Sequence, residues 1–324
     1  MPAVSVIMAA YNGERYIAET IESIQQQAMR DWELIVVDDG SVDGTGAIAR
    51  AYASGDRRIR VVDQQNGGVA RARNRGIAES NPSAPYITFL DQDDLWYPDT
   101  LAVLIATLEN DPVAVGAHGL TDCIDGNGRR VETGFVESFR HRRSLNGGRV
   151  VAWPDAAPTT FAVLALRSAL GTPGCALIRR RALTVIGGFD PAIAPGDDWD
   201  MFLRLTMYEY LAVIDRAVIQ WRQHATNASN RSDVMLDVVD RVHRKLIATP
   251  GLAPWQRSLA RRGYREFRRS SWRYRWEAAR HYTRWATQNV RRGHLWLAAT
   301  QLGHALIAAG LAATRLGRPV QFVL

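Results

Sequence analysis

A chain of 324 residues, 47% hydrophobic and 23% charged, has the composition of a folded globular protein and is long enough for one large domain plus an appendage. Its formal net charge of +7 is concentrated: twelve Arg against two Glu lie between Trp255 and Arg292, so the remainder is mildly acidic. Two cysteines, Cys123 and Cys175, exclude a disulfide framework and a four-cysteine metal site, and Lys245, the only lysine, excludes a P-loop lysine and argues against Schiff-base chemistry.

The run "VSVIMAA" is short and β-branched, lacks the cationic flank of a leader peptide, and reads as a first strand. "ERYIAETIESIQQQ" follows with Ile17, Ile21 and Ile24 at helical spacing. "WELIVVDDGS" is a buried-type strand stopping at two Asp and a Gly, and "GTGAIARAYAS" returns to helix. "RIRVVDQQ", "GVARARNRGIAES" and "YITFLDQDD" then predict a third strand, a third helix and a fourth strand. Such alternation implies a parallel sheet covered by helices, whose ligands sit beyond the carboxyl ends of the strands. Tyr11 and Asn12, Asp38 and Asp39, Gln64 to Asn66, and Asp91 to Asp94 all fall there.

Further on the pattern loosens. "IDGNGRR" reads as a hairpin turn, "TPGCALIRRRAL" as a strand-to-helix step, and "DDWDMFLRLTMY" as an amphipathic helix behind a Gly/Pro-rich loop. After Gln220, "QWRQHATNASNRS" reads as a polar loop, with helices from Val234 onward. The expected division is a nucleotide-binding domain over 1–230 and a basic helical region over 231–324.

Asp91, Asp93 and Asp94 repel one another, so they coordinate a hard divalent cation, or one carries a raised pKa, or they are merely solvated in a loop. Asp39 either accepts hydrogen bonds from a base or ribose, or caps a helix as Ser41 and Asp43 are expected to do. Arg71 and Arg73, behind two glycines, either approach phosphate or pair at the surface. The carboxylates at 197, 198 and 200 are helix-terminal partners unless one is a general base, which spacing alone leaves open.

Taken in order, "VSVIMAAYNGERYIAETIESIQQQ", "WELIVVDDGSVDGT", "GGVARARNRGI", "YITFLDQDDLWYPDTL", "GGFDP" and "DDWDMFLRL" resemble glycosyltransferase family 2, across roughly two thirds of the chain. The resemblance implies an α/β protein of the A-type glycosyltransferase fold, a Rossmann-like mixed sheet flanked by helices, with a C-terminal helical appendage. It implies an inverting, non-processive transferase taking a sugar from a nucleotide-diphosphate donor, typically UDP-linked, to a saccharide or lipid-linked acceptor in cell-surface glycan synthesis. Asp91 and Asp93 would hold Mg²⁺ or Mn²⁺, Asp93 directly, with His224 as a further metal ligand. Asp39 would read the nucleobase beside Asp38, with Ala9, Tyr11, Arg73, Asp91 and Gln92 also on the donor. Asp198 would be the base. Arg222 would reach the diphosphate or metal.

Two departures stand out. The first strand ends "AAYN" where many relatives carry Pro, Ser or Thr. Trp272 and His281 stand where processive relatives have Gln before Arg-Trp, which disfavours a polymerising synthase. The uncharged stretch 295–314, flanked by arginines, fits a helix lying on an anionic membrane surface or packed on the domain. The expected location is cytoplasmic, peripheral to the inner membrane face, and no motif points to nucleic acid. Rival readings are a non-catalytic nucleotide- or membrane-binding protein on the same fold, and a nucleotidyltransferase, although "AAYNGERY" lacks the latter's Gly-rich basic loop.

Overall fold

The computed structural model describes residues 1–131, 143–146, 149–152, 157–224, 227 and 232–269, with 283 and 287. Two compact units divide the chain, Met1–Ala260 and Arg261–Leu324, and the second is helical over 261–269. The stretch 295–314 lies outside the described residues. Among the described residues, no helix is long and apolar enough to cross a membrane.

The first unit opens as the sequence predicts. Strand β1 (Val4–Ala10), helix α1 (Ile17–Gln25), β2 (Trp32–Asp38), α2 (Thr45–Gly55), β3 (Ile59–Asp63), α3 (Val69–Glu79) and β4 (Tyr86–Phe89) alternate without interruption. Then come β5 (Leu95–Trp96), α4 (Thr100–Asn110), β6 (Gly116–Asp125), and a separate hairpin of β7 (Arg143–Asn146) with β8 (Arg149–Ala152). A short α5 (Phe161–Leu164) precedes β9 (Ala176–Arg179), α6 (Arg180–Ile186), α7 (Asp197–Leu205), β10 (Leu211–Gln223) and α8 (Ser232–Ala248).

Eight strands form one sheet in the order β3-β2-β1-β4-β9-β6-β10-β5. The first four are parallel, as their βα connections require. β9 then runs antiparallel to both β4 and β6, and β10 is parallel to β6. The sheet is therefore mixed. Its parallel half is buried on both faces, which is why Val4, Val6, Leu34, Ile35, Val36 and Ile87 read as continuous apolar runs and are fully covered. Ile17, Ile21 and Ile24 supply the apolar stripe of α1 and are fully buried. Gly76 lets α3 press onto β1: a Cβ there would meet Ile7 Cγ2 at 2.2 Å.

Register places the site. Ala10 lies opposite Asp38, and Asp38 opposite Asp63, so three neighbouring strands end level. β4 pairs through Ile7 with Phe89, and Leu90 still donates to the Ile7 carbonyl, which delivers Asp91 to the same rim. β10 runs farther than the sequence suggests. "QWRQ" was expected in a loop, yet the strand continues to Gln223 in pairing with Asp125, because Arg222 is buried there with partners for its charge.

Candidate active site

The three adjacent carboxylates have three different fates. Asp94 is 1% exposed: Oδ1 accepts from the Arg222 amide at 3.0 Å and Oδ2 from the Thr172 hydroxyl at 3.0 Å. Burial, reinforced by the charges of Asp93 and Asp91, pushes its pKa well above the ordinary carboxylate range. It is a structural bolt joining the β4 loop to β10 and the 173–175 turn. Asp91 faces Arg73, with Oδ1 2.6 Å from Nη2. Burial raises the Asp91 pKa, against the pull of Arg73. Asp93 Oδ2 lies 2.8 Å from His224 Nε2, so these two expected metal ligands are adjacent.

Gln92, between them, is an amide clamp. Its Oε1 accepts from the Tyr11 N–H and its Nε2 donates to the Tyr11 carbonyl, both at 2.9 Å, joining the ends of β1 and β4. The Tyr11 side chain projects, half exposed, and the half-buried Ala9 sits in register with Val37. Asp38 Oδ1 accepts from the Ser41 amide and shapes the β2–α2 turn.

Asp39 organises a second loop. Its carboxylate accepts from Gln64 Nε2 and the Gly67 amide at 2.7 Å each, and from the Gly68 amide at 2.8 Å. Gly68 has φ +87°, a conformation glycine tolerates, and precedes the first turn of α3. A carboxylate saturated in this way holds the glycine turn at the rim beside Tyr11 and Gln92. The sequence treated base contact and helix capping as alternatives; here the amides it satisfies lead into α3, one helix beyond the α2 cap considered from spacing.

α7 brings the last acids. Asp197 is fully buried, with Oδ2 2.8 Å from Arg73 Nη1. Arg73, 5% exposed, thus bridges Asp91 and Asp197 from inside the protein, with neither partner the phosphate nor the surface acid that its sequence context suggested. Asp198, next along, is partly buried, and its carboxyl is pushed up to about 7 by burial and then by the charge of Asp197, with Arg73 opposing. Asp200 is a structural residue, tied to Arg204 at 2.9 Å and to Lys245 at 2.7 Å.

Arg222 is 1% exposed. Its Nη2 donates to Glu19 Oε2 at 2.7 Å and its Nε to the Asp93 carbonyl at 2.9 Å, so it braces the site from below. Glu19 and Thr172 were not singled out from sequence, and for Asp197 the sequence offered a helix-terminal or base role but not its pairing with Arg73. No local signal marks these contacts, since each partner lies more than seventy positions away.

Among the described residues, no three His, Cys, Asp or Glu side chains gather into a metal cage. The Asp93–His224 pair offers one oxygen and one nitrogen donor at an open rim. That set fits Mg²⁺ or Mn²⁺ bound jointly with a phosphorylated substrate, because such ions commonly take only one or two protein carboxylates and fill their shell from phosphate and water.

Comparison with known proteins agrees with this architecture. The family description "Glycosyl transferase family 2" matches residues 5–187, more than half of the chain, and the chain belongs to that family. Among curated relatives, the uncharacterized glycosyltransferase EpsJ of Bacillus subtilis (strain 168) is 47% identical over 94 residues, 29% of this chain and 27% of its own length. The glycosyltransferase GlyG of Streptococcus pneumoniae serotype 4 is 36% identical over 127 residues, 38% of this chain and 42% of its own. The chondroitin synthase of Escherichia coli is 25% identical over 270 residues, 83% of this chain and 34% of its own. The chain spans less than half the length of each of these relatives. Among solved structures, S. aureus TarS 1-349 in complex with UDP-GlcNAc superposes with TM-score 0.60 at 20% identity, over 82% of this chain and 71% of that one. The mannosyltransferase PcManGT from Pyrobaculum calidifontis, in complex with GDP-Man and Mn²⁺, gives 0.59 at 19% identity, over 98% and 80%. The fold is the A-type glycosyltransferase fold.

Proposed function

We propose that the protein is an inverting, divalent-metal-dependent glycosyltransferase that moves a sugar from a nucleotide-diphosphate donor, UDP-linked, onto a hydroxyl of a saccharide or lipid-linked acceptor in cell-surface glycan synthesis. The observation that carries this reading is the Asp198 carboxyl, partly buried at the rim with its pKa raised to about 7 and joined through Asp197 and Arg73 to Asp91. A carboxylate poised near neutrality suits a base that takes a proton from an attacking hydroxyl. Two structural neighbours were solved with nucleotide sugars, one of them with Mn²⁺, which supports the donor class.

In this reading the glycine turn held by Asp39, with Tyr11 and Gln92, receives the nucleoside. Asp93 and His224 would hold the cation, and Asp91, braced by Arg73, would face the same diphosphate. When bound, the ion supplies positive charge that stabilises the departing nucleoside diphosphate. Asp198 accepts the acceptor's proton on the opposite face of the sugar, and the anomeric centre inverts. All these residues fall within 1–230, the segment we assign to donor binding and catalysis.

The test is transfer or donor hydrolysis from a panel of UDP- and GDP-sugars with Mn²⁺, the product anomer being read by NMR. Turnover that releases the inverted anomer and disappears in Asp198→Asn supports the proposal. Retained configuration, or full activity in that variant, overturns it.

A further inference from the structure

Tyr16, just before α1, has no place in the mechanism above, yet the expected metal ligands rest on it. The residue is 7% exposed. The His224 imidazole packs against it at 4.9 Å between centroids, tilted by 31°. The Arg222 guanidinium carbon lies 4.7 Å from the ring centroid and that of Arg15 lies 5.0 Å away. Arg222 in turn donates to the Asp93 carbonyl, while His224 meets the Asp93 carboxylate. One aromatic ring thus lies against both groups that meet Asp93. The turn after β6 passes close to both side chains: a Cβ on Gly126 would sit 3.1 Å from Tyr16 Oη and 3.9 Å from His224 Cβ. Tyr16 Oη is buried there with no hydrogen-bond partner among the described residues, so the contact works through the ring.

We infer that Tyr16 is a positioning residue whose ring sets the His224 imidazole against Asp93 and thereby fixes how tightly the rim takes up a divalent cation together with a nucleotide. The inference rests on the metal-and-nucleotide reading given above. An imidazole has two rotatable bonds and holds a metal only in a narrow range of orientations. Groups behind a first ligand commonly change metal affinity by about 10–100-fold when removed. Among the described residues the close donors are Asp93 and His224, so a misplaced imidazole is not made up by a third protein ligand.

The experiment is titration of Mn²⁺ into the full-length protein, with UDP or in parallel GDP present, following the electron paramagnetic resonance signal of free Mn²⁺. Tyr16→Leu is expected to weaken Mn²⁺ uptake by about tenfold or more. Tyr16→Phe keeps the ring, loses no hydrogen bond, and is expected to bind as the wild type does. Gly126→Ala crowds the hydroxyl and the imidazole and is expected to weaken uptake, and Tyr16→Phe in that background to restore it, a rescue that a general loss of folding would not produce. Unchanged affinity in Tyr16→Leu, or absence of the rescue, overturns the inference alone. Failure of the wild-type protein to take up Mn²⁺ with either nucleotide overturns the metal reading and this inference with it.

Discussion

Arg73 Nη1 stands 2.8 Å from Asp197 Oδ2 across 124 positions of sequence, with both side chains almost wholly withdrawn from solvent. The same guanidinium holds Asp91 with its other terminal nitrogen, so one buried cation joins α3, the β4 rim and the start of α7. Removing one partner of a buried ion pair leaves charge that nothing neutralises. Arg73→Met is therefore expected to cost about 3–5 kcal/mol in denaturant unfolding. The double variant Arg73→Met/Asp197→Asn is expected to recover part of that loss, because the most deeply buried unpaired charge is then gone.

Asp198 sets a pH dependence. With its pKa near 7, the base form is the minor species in acid, so kcat should rise with pH up to about 7 and then level off. Asp197→Asn removes a neighbouring negative charge and should shift the acid limb to lower pH; loss of Arg73 should shift it higher. Asp198→Asn should reduce transfer by on the order of 10²–10⁴ while leaving donor affinity nearly intact. The stability contribution has the opposite slope. The folded state keeps this proton after the unfolded chain has lost it, so the group's stabilisation is full below the ordinary carboxylate pKa and lost as pH rises through about 7. Rate profiles and unfolding curves across this range check both signs.

Asp93 and Asp94 are neighbours with separable tasks. Asp94→Asn can still satisfy Thr172 and the Arg222 amide, because a hydroxyl can accept where it formerly donated; it is expected to fold and to keep metal-dependent activity. Asp94→Ala strands both groups in the interior and should lose on the order of 1–3 kcal/mol for each in thermal or denaturant unfolding. Asp93→Asn should do the reverse, with stability nearly unchanged and Mn²⁺-dependent turnover lost. Equal effects of the two asparagine variants on turnover would contradict this division.

Both Asp39 oxygens accept from a backbone N–H, so Asp39→Asn turns its amide NH₂ toward the Gly67 or the Gly68 amide in either orientation. A stability loss of roughly 1–3 kcal/mol is expected in the nucleotide-free protein. Nucleotide affinity should fall too, since the glycine turn is no longer held. Full stability in Asp39→Asn would mean that the turn does not depend on this carboxylate.

Much of the frame was legible in the sequence because its signals are local. The runs before Ala10, Asp38 and Phe89 alternate with helical patterns such as Ile17, Ile21 and Ile24, and every one of these three isoleucines is buried. The convergence of Tyr11, Asp39 and Gln92 followed from strand ends alone. The division of labour among the acids did not. Asp91, Asp93 and Asp94 look alike in one dimension, and what separates them is Arg73, His224 and Thr172, brought in by other elements. Arg222 misled for a related reason. A charged residue near a polar run reads as loop, but Glu19 and the Asp93 carbonyl supply partners that let it close a buried strand.

The central claim is that the strand-end rim binds a nucleotide through a divalent ion held at Asp93 and His224. Its most direct test is calorimetric titration of UDP, with GDP in parallel, into the wild-type protein and Asp93→Asn, each in Mn²⁺ and in chelator. Binding by the wild type in Mn²⁺, lost in chelator and lost in the variant, is the predicted result. Equal affinity with and without the metal, or in Asp93→Asn, or no binding of either nucleotide under any condition, would contradict the account.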